Sequence, residues 1–227
     1  MIEIKDLSLS YGGRKVLDNM NLKLDDGKIV GLVGENGTGK STLMRILAGL
    51  EKNYKGEVKI AGQRPGEETN SLVSYQPDHL PFYPSMRVRE IGDLYKRFYK
   101  DFDLSRYFKL LASFGIDKDL RVKECSKGMR DKVQIAATLS RRTKIYLLDE
   151  PMTGIDPKAR RIMLKTIIEN FDYQGILIIS THLISEIERI LDQVIAISEG
   201  KIILDKGVDE IREENHMSVE DYFTEVL

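Results

Sequence analysis

Apolar and polar residues alternate from Ile2 to Leu24, with Ile2, Ile4, Leu7, Leu9, Leu22 and Leu24 at the apolar positions. A period of two predicts half-buried strands. Tyr11-Gly12-Gly13 interrupts the alternation with a turn, and Asp25-Asp26-Gly27 interrupts it again. Lys28 to Val33 then reads as a short buried strand running into glycine. Leu43, Ile46, Leu47 and Leu50 follow at helical spacing. Glu57 to Ile60 and Leu72 to Tyr75 read as two more short strands.

The middle of the chain changes character. From about Val88 to Leu139 the period is helical, and ten of the seventeen aromatic residues fall between Tyr75 and Phe114. This predicts a helical subdomain set into the chain, with most of Phe98, Phe102, Phe108 and Phe114 filling its small core. The last third returns to alternation of strands and helices. Ile145 to Leu148, Ile176 to Ser180 and Val194 to Ile197 read as strands. Lys158 to Asn170 and Ile184 to Leu191 read as helices, and Val208 to Leu227 as one or two polar helices. Strands alternating with helices predict an α/β fold with a mostly parallel core sheet covered on both faces. The early alternating strands predict an antiparallel β flap beside it.

Composition narrows the classes. The chain has 227 residues, 41% hydrophobic and 31% charged, with a net charge of -1. That is enough chain for a large core. A near-zero charge argues against a protein built to grip a phosphate backbone, so no nucleic acid is expected as a partner. Cys125 is the single cysteine, which excludes an intrachain disulfide and fits a reducing compartment. The first residues lack the basic-then-apolar order of a signal peptide. No apolar run approaches the ~20 residues that span a bilayer.

Gly34-Glu35-Asn36-Gly37-Thr38-Gly39-Lys40-Ser41 fits the pattern G-x-x-x-x-G-K-[ST], between a predicted strand and a predicted helix. Glycines let the backbone curl so that N–H groups converge on a phosphate. The helix that follows adds the positive end of its dipole. Lys40 supplies a mobile cation for the β and γ phosphates, and the Ser41 hydroxyl suits a Mg²⁺ ligand position. A second signal is the apolar run Ile145 to Leu148 ending in Asp149-Glu150. Acids at the carboxyl edge of a parallel sheet face the ligand crevice. There Asp149 suits Mg²⁺ and Glu150 suits the orientation of an attacking water. Asp156 before Pro157 reads as a helix cap.

Taken together, these residues resemble the nucleotide-binding subunits of ABC (ATP-binding cassette) transporters, over nearly the whole chain. Tyr11 stands where that family places an aromatic on adenine. Gly34 to Ser41, with Thr42, is its phosphate loop. Gln76 stands at the glutamine that senses the γ phosphate and contacts the metal. Cys125-Ser126-Lys127-Gly128-Met129 matches the signature, usually L-S-G-G-Q, with Ser126 and Gly128 retained. Thr153-Gly154-Ile155-Asp156 resembles the loop that crosses the dimer interface, and His182 the switch histidine. Singly, Tyr11, Gln76 and His182 read as ordinary surface or structural residues; their order and spacing carry the resemblance.

The resemblance implies the P-loop NTPase fold of ABC ATPases. Residues 1–76 and 141–207 would form the catalytic core with its flap, 77–140 the helical signature subdomain, and 208–227 a helical tail. It implies Mg²⁺-dependent ATP hydrolysis by a head-to-tail dimer, in which Ser126 and Gly128 complete the partner's site. The nucleotide would meet Tyr11, Gly34, Asn36, Gly37, Thr38, Gly39, Lys40, Ser41, Thr42 and Asp156. The metal would meet Ser41, Gln76 and Asp149, and Glu150, His182 and Gln76 would serve the reaction. Lys127 departs from the usual glycine and adds a cation near the captured phosphate; a solvated surface charge is the other reading. The sequence Ser126-Lys127-Gly128-Met129-Arg130 resembles a subgroup of bacterial cassettes that pair with separate membrane permeases, often exporters. Such a protein works on the cytoplasmic face of the membrane, as a homodimer or heterodimer. Leu80-Pro81-Phe82-Tyr83-Pro84 falls where the family docks its membrane subunit, with Phe82 and Tyr83 the candidates for exposed contact. The alternative is a soluble ABC-type ATPase acting in assembly or on nucleic acid without a membrane partner.

Overall fold

A computed structural model describes residues 1–79 and 81–226. Leu80, part of the predicted docking segment, and Leu227, the end of the predicted tail, lie outside the described residues. The strands are β1 (Ile2–Tyr11), β2 (Arg14–Leu24), β3 (Lys28–Val33), β4 (Lys55–Ile60), β5 (Val73–Gln76), β6 (Ile145–Asp149), β7 (Ile176–Thr181), β8 (Gln193–Ser198) and β9 (Lys201–Gly207). The helices are α1 (Lys40–Leu47), α2 (Val88–Phe98), α3 (Leu104–Ser113), α4 (Lys127–Leu139), α5 (Pro157–Asn170), α6 (Ile184–Ile187), α7 (Val208–Asn215) and α8 (Val219–Val226).

Six strands form the core sheet in the order β5-β6-β7-β3-β8-β9. Every neighbouring pair in it is parallel except β8 with β9. A second, antiparallel sheet has the order β2-β1-β4. The α/β architecture and the flap agree with the sequence pattern. β9 lies outside the elements it predicts, because Lys201–Gly207 carries little apolar alternation at a sheet edge. The helix expected from Ile184 to Leu191 is a single α turn followed by a 3-10 turn at Glu188–Ile190.

Alternation along the buried strands sorts side chains to two cores. Val30 and Leu32, Ile145 and Leu147, and Ile176 and Ile178 share one cluster with Leu43, Met44 and Leu47 of α1 and with the flap residues Ile2, Leu7, Leu17 and Leu24. The helix α1 is therefore sandwiched between the two sheets. The intervening positions Ile29, Val33, Tyr146, Leu148, Leu177 and Ile179 join a second cluster with residues of α2 to α8. Burial on both faces explains why these strands read as continuous apolar runs.

The helices α2 and α3 pack through a chain of rings, Phe82 on Tyr95, Tyr95 on Phe102, and Phe102 on Tyr107. Phe102 and Phe114 are buried, and Phe108 packs half-buried on the cluster. Phe98 corrects the expectation of a core role: it is 75% exposed. The helix α2 ends there, and Tyr99 turns into extended backbone to stack on Arg141 at 3.9 Å. Phe82 corrects the opposite expectation, since its ring is anchored on Tyr95, whereas Tyr83 is 76% exposed.

Arg141 joins this helical segment to the edge of the core sheet. Its guanidinium forks onto both carboxylate oxygens of Asp101 at 3.0 and 3.1 Å and donates to the carbonyls of Val73 and Asn70 at 2.6 and 2.7 Å. A bidentate buried pair loses most when one partner is removed. Replacing Arg141 by Met should cost about 2–3 kcal/mol, less than a fully buried pair because Asp101 keeps some access to water. A urea midpoint unchanged from the parent chain would show that Arg141 is not a strut.

Candidate functional site

The carboxyl ends of β3, β5, β6 and β7 converge, and each delivers one polar feature. The strand β3 runs into Gly34, whose φ is +149° and whose absent Cβ would sit 2.2 Å from the Ile197 carbonyl oxygen. No side chain larger than hydrogen fits there. The loop then curls over itself: Thr38 Oγ1 donates to the Glu35 carbonyl at 3.0 Å. Gly39 stands before α1 in place of a capping side chain, so the first N–H groups of the helix stay free for an anion.

Lys40 is 5% exposed, and its ammonium donates to the carbonyls of Gly34 and Glu35 at 2.7 and 2.9 Å. Burial pulls its pKa below the usual lysine value, while the Glu150 and Asp149 carboxylates oppose that. Tyr11, Asn36, Gly37, Gly39, Lys40, Ser41 and Thr42 line one cleft of about 330 Å³ with Val16, Asp78 and Glu150. The Tyr11 hydroxyl donates to Glu51 Oε2 at 2.7 Å, which steadies the ring at the mouth of this cleft.

Asp149 ends β6 and is 1% exposed. Its Oδ1 accepts from Ser41 at 3.0 Å and from Ser180 at 2.6 Å, and its Oδ2 accepts from Tyr75 at 3.3 Å. Burial raises its pKa, and the Ser180, Ser41 and Tyr75 hydroxyls offset part of that. Gln76 ends β5 opposite Leu148 in register, and its buried Oε1 has no hydrogen-bond partner. An orphaned carbonyl oxygen, a serine hydroxyl and a buried carboxylate are the hard oxygen donors that Mg²⁺ takes. The residues fit that ion. Among the described residues no cluster of three or more His, Cys, Asp or Glu could hold a metal. A hard cation here would complete its shell with phosphate oxygens and water.

Glu150 is the sharpest feature. Its φ is +46°, a left-handed backbone that a glutamate adopts at a cost of about 1–3 kcal/mol. The Glu150 N–H donates to Ser180 Oγ at 2.9 Å, which holds the turn. Its Oε2 accepts from Thr153 Oγ1 at 2.8 Å and meets His182 Nδ1 at 3.0 Å. Its Oε1 is buried without a hydrogen-bond partner, 3.7 Å from Lys40 Nζ. One carboxylate oxygen is thus saturated, and the other accepts no hydrogen bond and is paired only with the Lys40 charge.

The structure brings together Gly34, Asn36, Gly37, Thr38, Gly39, Lys40, Ser41, Thr42, Asp149, Glu150 and His182, with Tyr11 at the rim and Gln76 on the adjoining strand end. It does not bring Ser126, Gly128 or Asp156 into that group. Ser126 caps α4, accepting from Met129 N–H at 3.3 Å. That helix starts at Lys127. Asp156 caps α5, accepting from Lys158 and Ala159 N–H, which holds its carboxyl below the usual range. The sequence reading did not find Ser180, Tyr75 or the Thr153 hydroxyl. Ser180 had a signal: it ends the apolar run Ile176–Ile179 at the same sheet edge, as Asp149 ends its own.

The ABC transporter family model matches residues 17–153. The chain belongs to the ABC transporter family. It is an ATP-binding subunit of that family and an ATP hydrolase. It is 36% identical over 220 residues to the lantibiotic transport ATP-binding protein SrtF of Streptococcus pyogenes, covering 92% of each chain. A solved ATP-binding subunit of an ABC transporter superposes with a TM-score of 0.85 at 29% identity, covering 100% of this chain and 99% of that one. The dimeric bacterial ABC transporter cassette MJ0796 shares the fold, with a TM-score of 0.80 at 21% identity over 91% of this chain and 98% of its own. Among the described residues no helix is long and apolar enough to cross a membrane.

A second cleft, of about 380 Å³, adjoins the first through Asn36, Asp78 and Glu150 and is lined also by Lys127, Asp131, Thr153 and His182. Burial pushes the Asp131 carboxyl up to about 6, while Lys127 and Arg130 pull it down. The ordinary aspartate value is ~3.9, so between about pH 4 and 6 the folded chain keeps a proton that the unfolded chain releases. Stability conferred by this group falls as pH rises through that window and is level above it. Asp131→Asn removes the titration. Its stability relative to the parent should rise by about 1–2 kcal/mol from pH 4 to pH 7, allowing for the residual exposure of the carboxyl. Equal differences in urea midpoint at the two pH values would show that the carboxyl titrates normally.

Proposed function

We propose that this ATPase works as a head-to-tail dimer that powers a separate membrane permease, with export the direction. The observation that carries the reading is the divided polarity of Glu150. Its Oε2 is held by Thr153 and His182, and its Oε1 is left bare beside Lys40. That arrangement suits the orientation of a water for in-line attack on a γ phosphate.

The geometry supports these roles. Backbone N–H groups of the loop and of α1 cradle the phosphates, with Lys40 stabilising their charge. Tyr11 offers its ring to the base. Ser41, Asp149 and Gln76 would hold Mg²⁺, which would supply positive charge against that developing on the phosphate oxygens. His182 orients Glu150 and contacts the γ phosphate. Ser126 and Gly128 sit outside the cleft, so a second subunit supplies them to the γ phosphate, with Asp156 at that junction. The dimeric state of the MJ0796 cassette supports this.

The same reading divides the chain into a core with flap, 1–76 and 141–207, a helical signature subdomain, 77–140, and a tail, 208–227. It places the protein on the cytoplasmic face of the membrane. Tyr83 and Phe98, two large rings left exposed, are the candidates for a permease contact. The lantibiotic transport named for the Streptococcus relative and the Ser126-Lys127-Gly128-Met129-Arg130 signature support export.

Two outcomes are expected. Glu150→Gln should slow ATP turnover at least about 10²-fold while leaving ATP binding intact, so that the variant elutes as a dimer with ATP and a monomer without. Parent-like turnover refutes the role of Glu150, and a monomer under all conditions refutes the dimer. Tyr83→Ser together with Phe98→Ser should cut the fraction of chain sedimenting with host membranes by about tenfold, the loss of one interface anchor. Hydrolysis by the isolated chain should persist. Unchanged sedimentation would leave the soluble alternative standing.

A further inference from the structure

The first residue of α4 is Lys127, where the family pattern has glycine and therefore no side chain. The side chain is exposed, yet its ammonium is held by its own chain. It donates to the carbonyl oxygen of Thr153, at 2.5 Å. The next residue is Gly154, whose φ is +75°, and an added Cβ there would lie 3.1 Å from Lys127 Nζ. The lysine lies across a stretch of backbone that is bare because it is glycine. Asp131, one helical turn along α4, faces the same ammonium across the cleft that Lys127 and Asp131 share with Glu150 and Thr153.

Thr153 carries the contact onward. Its hydroxyl donates to Glu150 Oε2 at 2.8 Å. Its N–H reaches the Glu150 carbonyl at 3.4 Å, so residues 150–153 close into one turn. A cation fixed on one side of that turn, at the Thr153 carbonyl, restricts where the hydroxyl on the other side can point. The signature helix and the hydrolytic glutamate are thereby joined within one chain through two hydrogen bonds, Lys127 to Thr153 and Thr153 to Glu150.

We propose that Lys127 is a positioning residue for hydrolysis, holding the 150–155 turn so that Thr153 saturates Glu150 Oε2 and leaves Oε1 facing the attacking water. This rests on the role assigned to Glu150 above. It differs from a phosphate-binding role for Lys127, in which the ammonium would face the partner's nucleotide. In this structure the ammonium donates to its own chain, at the Thr153 carbonyl. A positioning role affects the chemical step and leaves nucleotide capture alone, because only a misplacement of the reacting groups is introduced.

The test uses the full chain. Lys127→Gly should lower kcat about five- to tenfold and change KM for ATP by less than about twofold, the pattern of an interaction needed for the transition state alone. Lys127→Arg, whose guanidinium can reach the same carbonyl, should recover most of kcat. Thr153→Val should reproduce the loss, and the double variant should be no worse than either single, since residues acting through one contact are not additive. In the Glu150→Gln background, Lys127→Gly should leave the ATP-dependent dimer intact. Full kcat in Lys127→Gly, or additive losses in the double variant, would overturn the proposal. So would loss of the ATP-dependent dimer, which would assign Lys127 to the partner's phosphates. If the parent chain itself fails to hydrolyse ATP, or Glu150→Gln turns over normally, the fault lies in the underlying assignment and not in the lysine.

Discussion

The architecture of the site depends on one buried carboxylate. Asp149 terminates a strand whose four preceding residues are all buried, so its charge sits where water cannot solvate it. A carboxylate in that position is tolerated only if hydrogen-bond donors surround it. Three hydroxyls do so, and they come from three different places: Ser41 from the start of α1, Ser180 from the end of β7 and Tyr75 from the end of β5. Satisfying one acid therefore fixes the phosphate loop against the sheet and aligns three strand ends. Ser180 also accepts from the Glu150 N–H, so the same hydroxyl that satisfies Asp149 holds the strained turn that aims the next acid. The upward pull on Asp149 has a functional sense: a carboxylate undersolvated by the protein gains most from an arriving divalent cation.

These ends can converge because the sheet is buried on both faces and parallel. Parallel strands put all their carboxyl ends on one edge, and crossover helices cover both faces to allow it. The division of side chains between two apolar clusters makes α1 a filling between the sheets and not a surface helix. Its amino terminus is immobilised at the point where the loop must present N–H groups. Rigidity at that terminus is a condition for electrostatic stabilisation, which depends on dipoles that need not reorganise during the reaction.

Much of this was legible in the sequence, for reasons that differ by residue. The loop from Gly34 to Ser41 was legible because its chemistry demands glycines and a lysine at fixed spacing. Asp149 and Glu150 were legible because acids at the end of an apolar run are costly without a ligand. Ser180 and Tyr75 went unread because hydroxyls are common at strand ends, and their value appears only once register places them beside Asp149. The opposite fates of Phe82 and Phe98 were unreadable for a related reason. Both lie in an aromatic-rich stretch, and which ring is anchored depends on where α2 stops and on Arg141 drawing Tyr99 across its end. β9 escaped notice because an edge strand with one covered face carries a weak pattern.

The two acids at the end of β6 also illustrate how adjacent residues of like charge divide labour through environment. Asp149 is enclosed and held by three hydroxyls, which suits a fixed ligand. Glu150 turns out of the strand through a left-handed backbone and keeps one oxygen bare, which suits a group that must act on a mobile water. The bare oxygen is of use only if its partner oxygen is held still, because a carboxylate free to rotate presents neither consistently. His182 and Thr153 hold it from two directions, one from the loop after β7 and one from its own turn. The histidine contact is anchored to the core sheet, whereas the threonine contact is only as firm as the 150–155 turn. A turn containing Gly154 has little rigidity of its own. A cation laid along that turn supplies what the backbone lacks, which gives a physical reason for a lysine in a position where the family pattern carries no side chain.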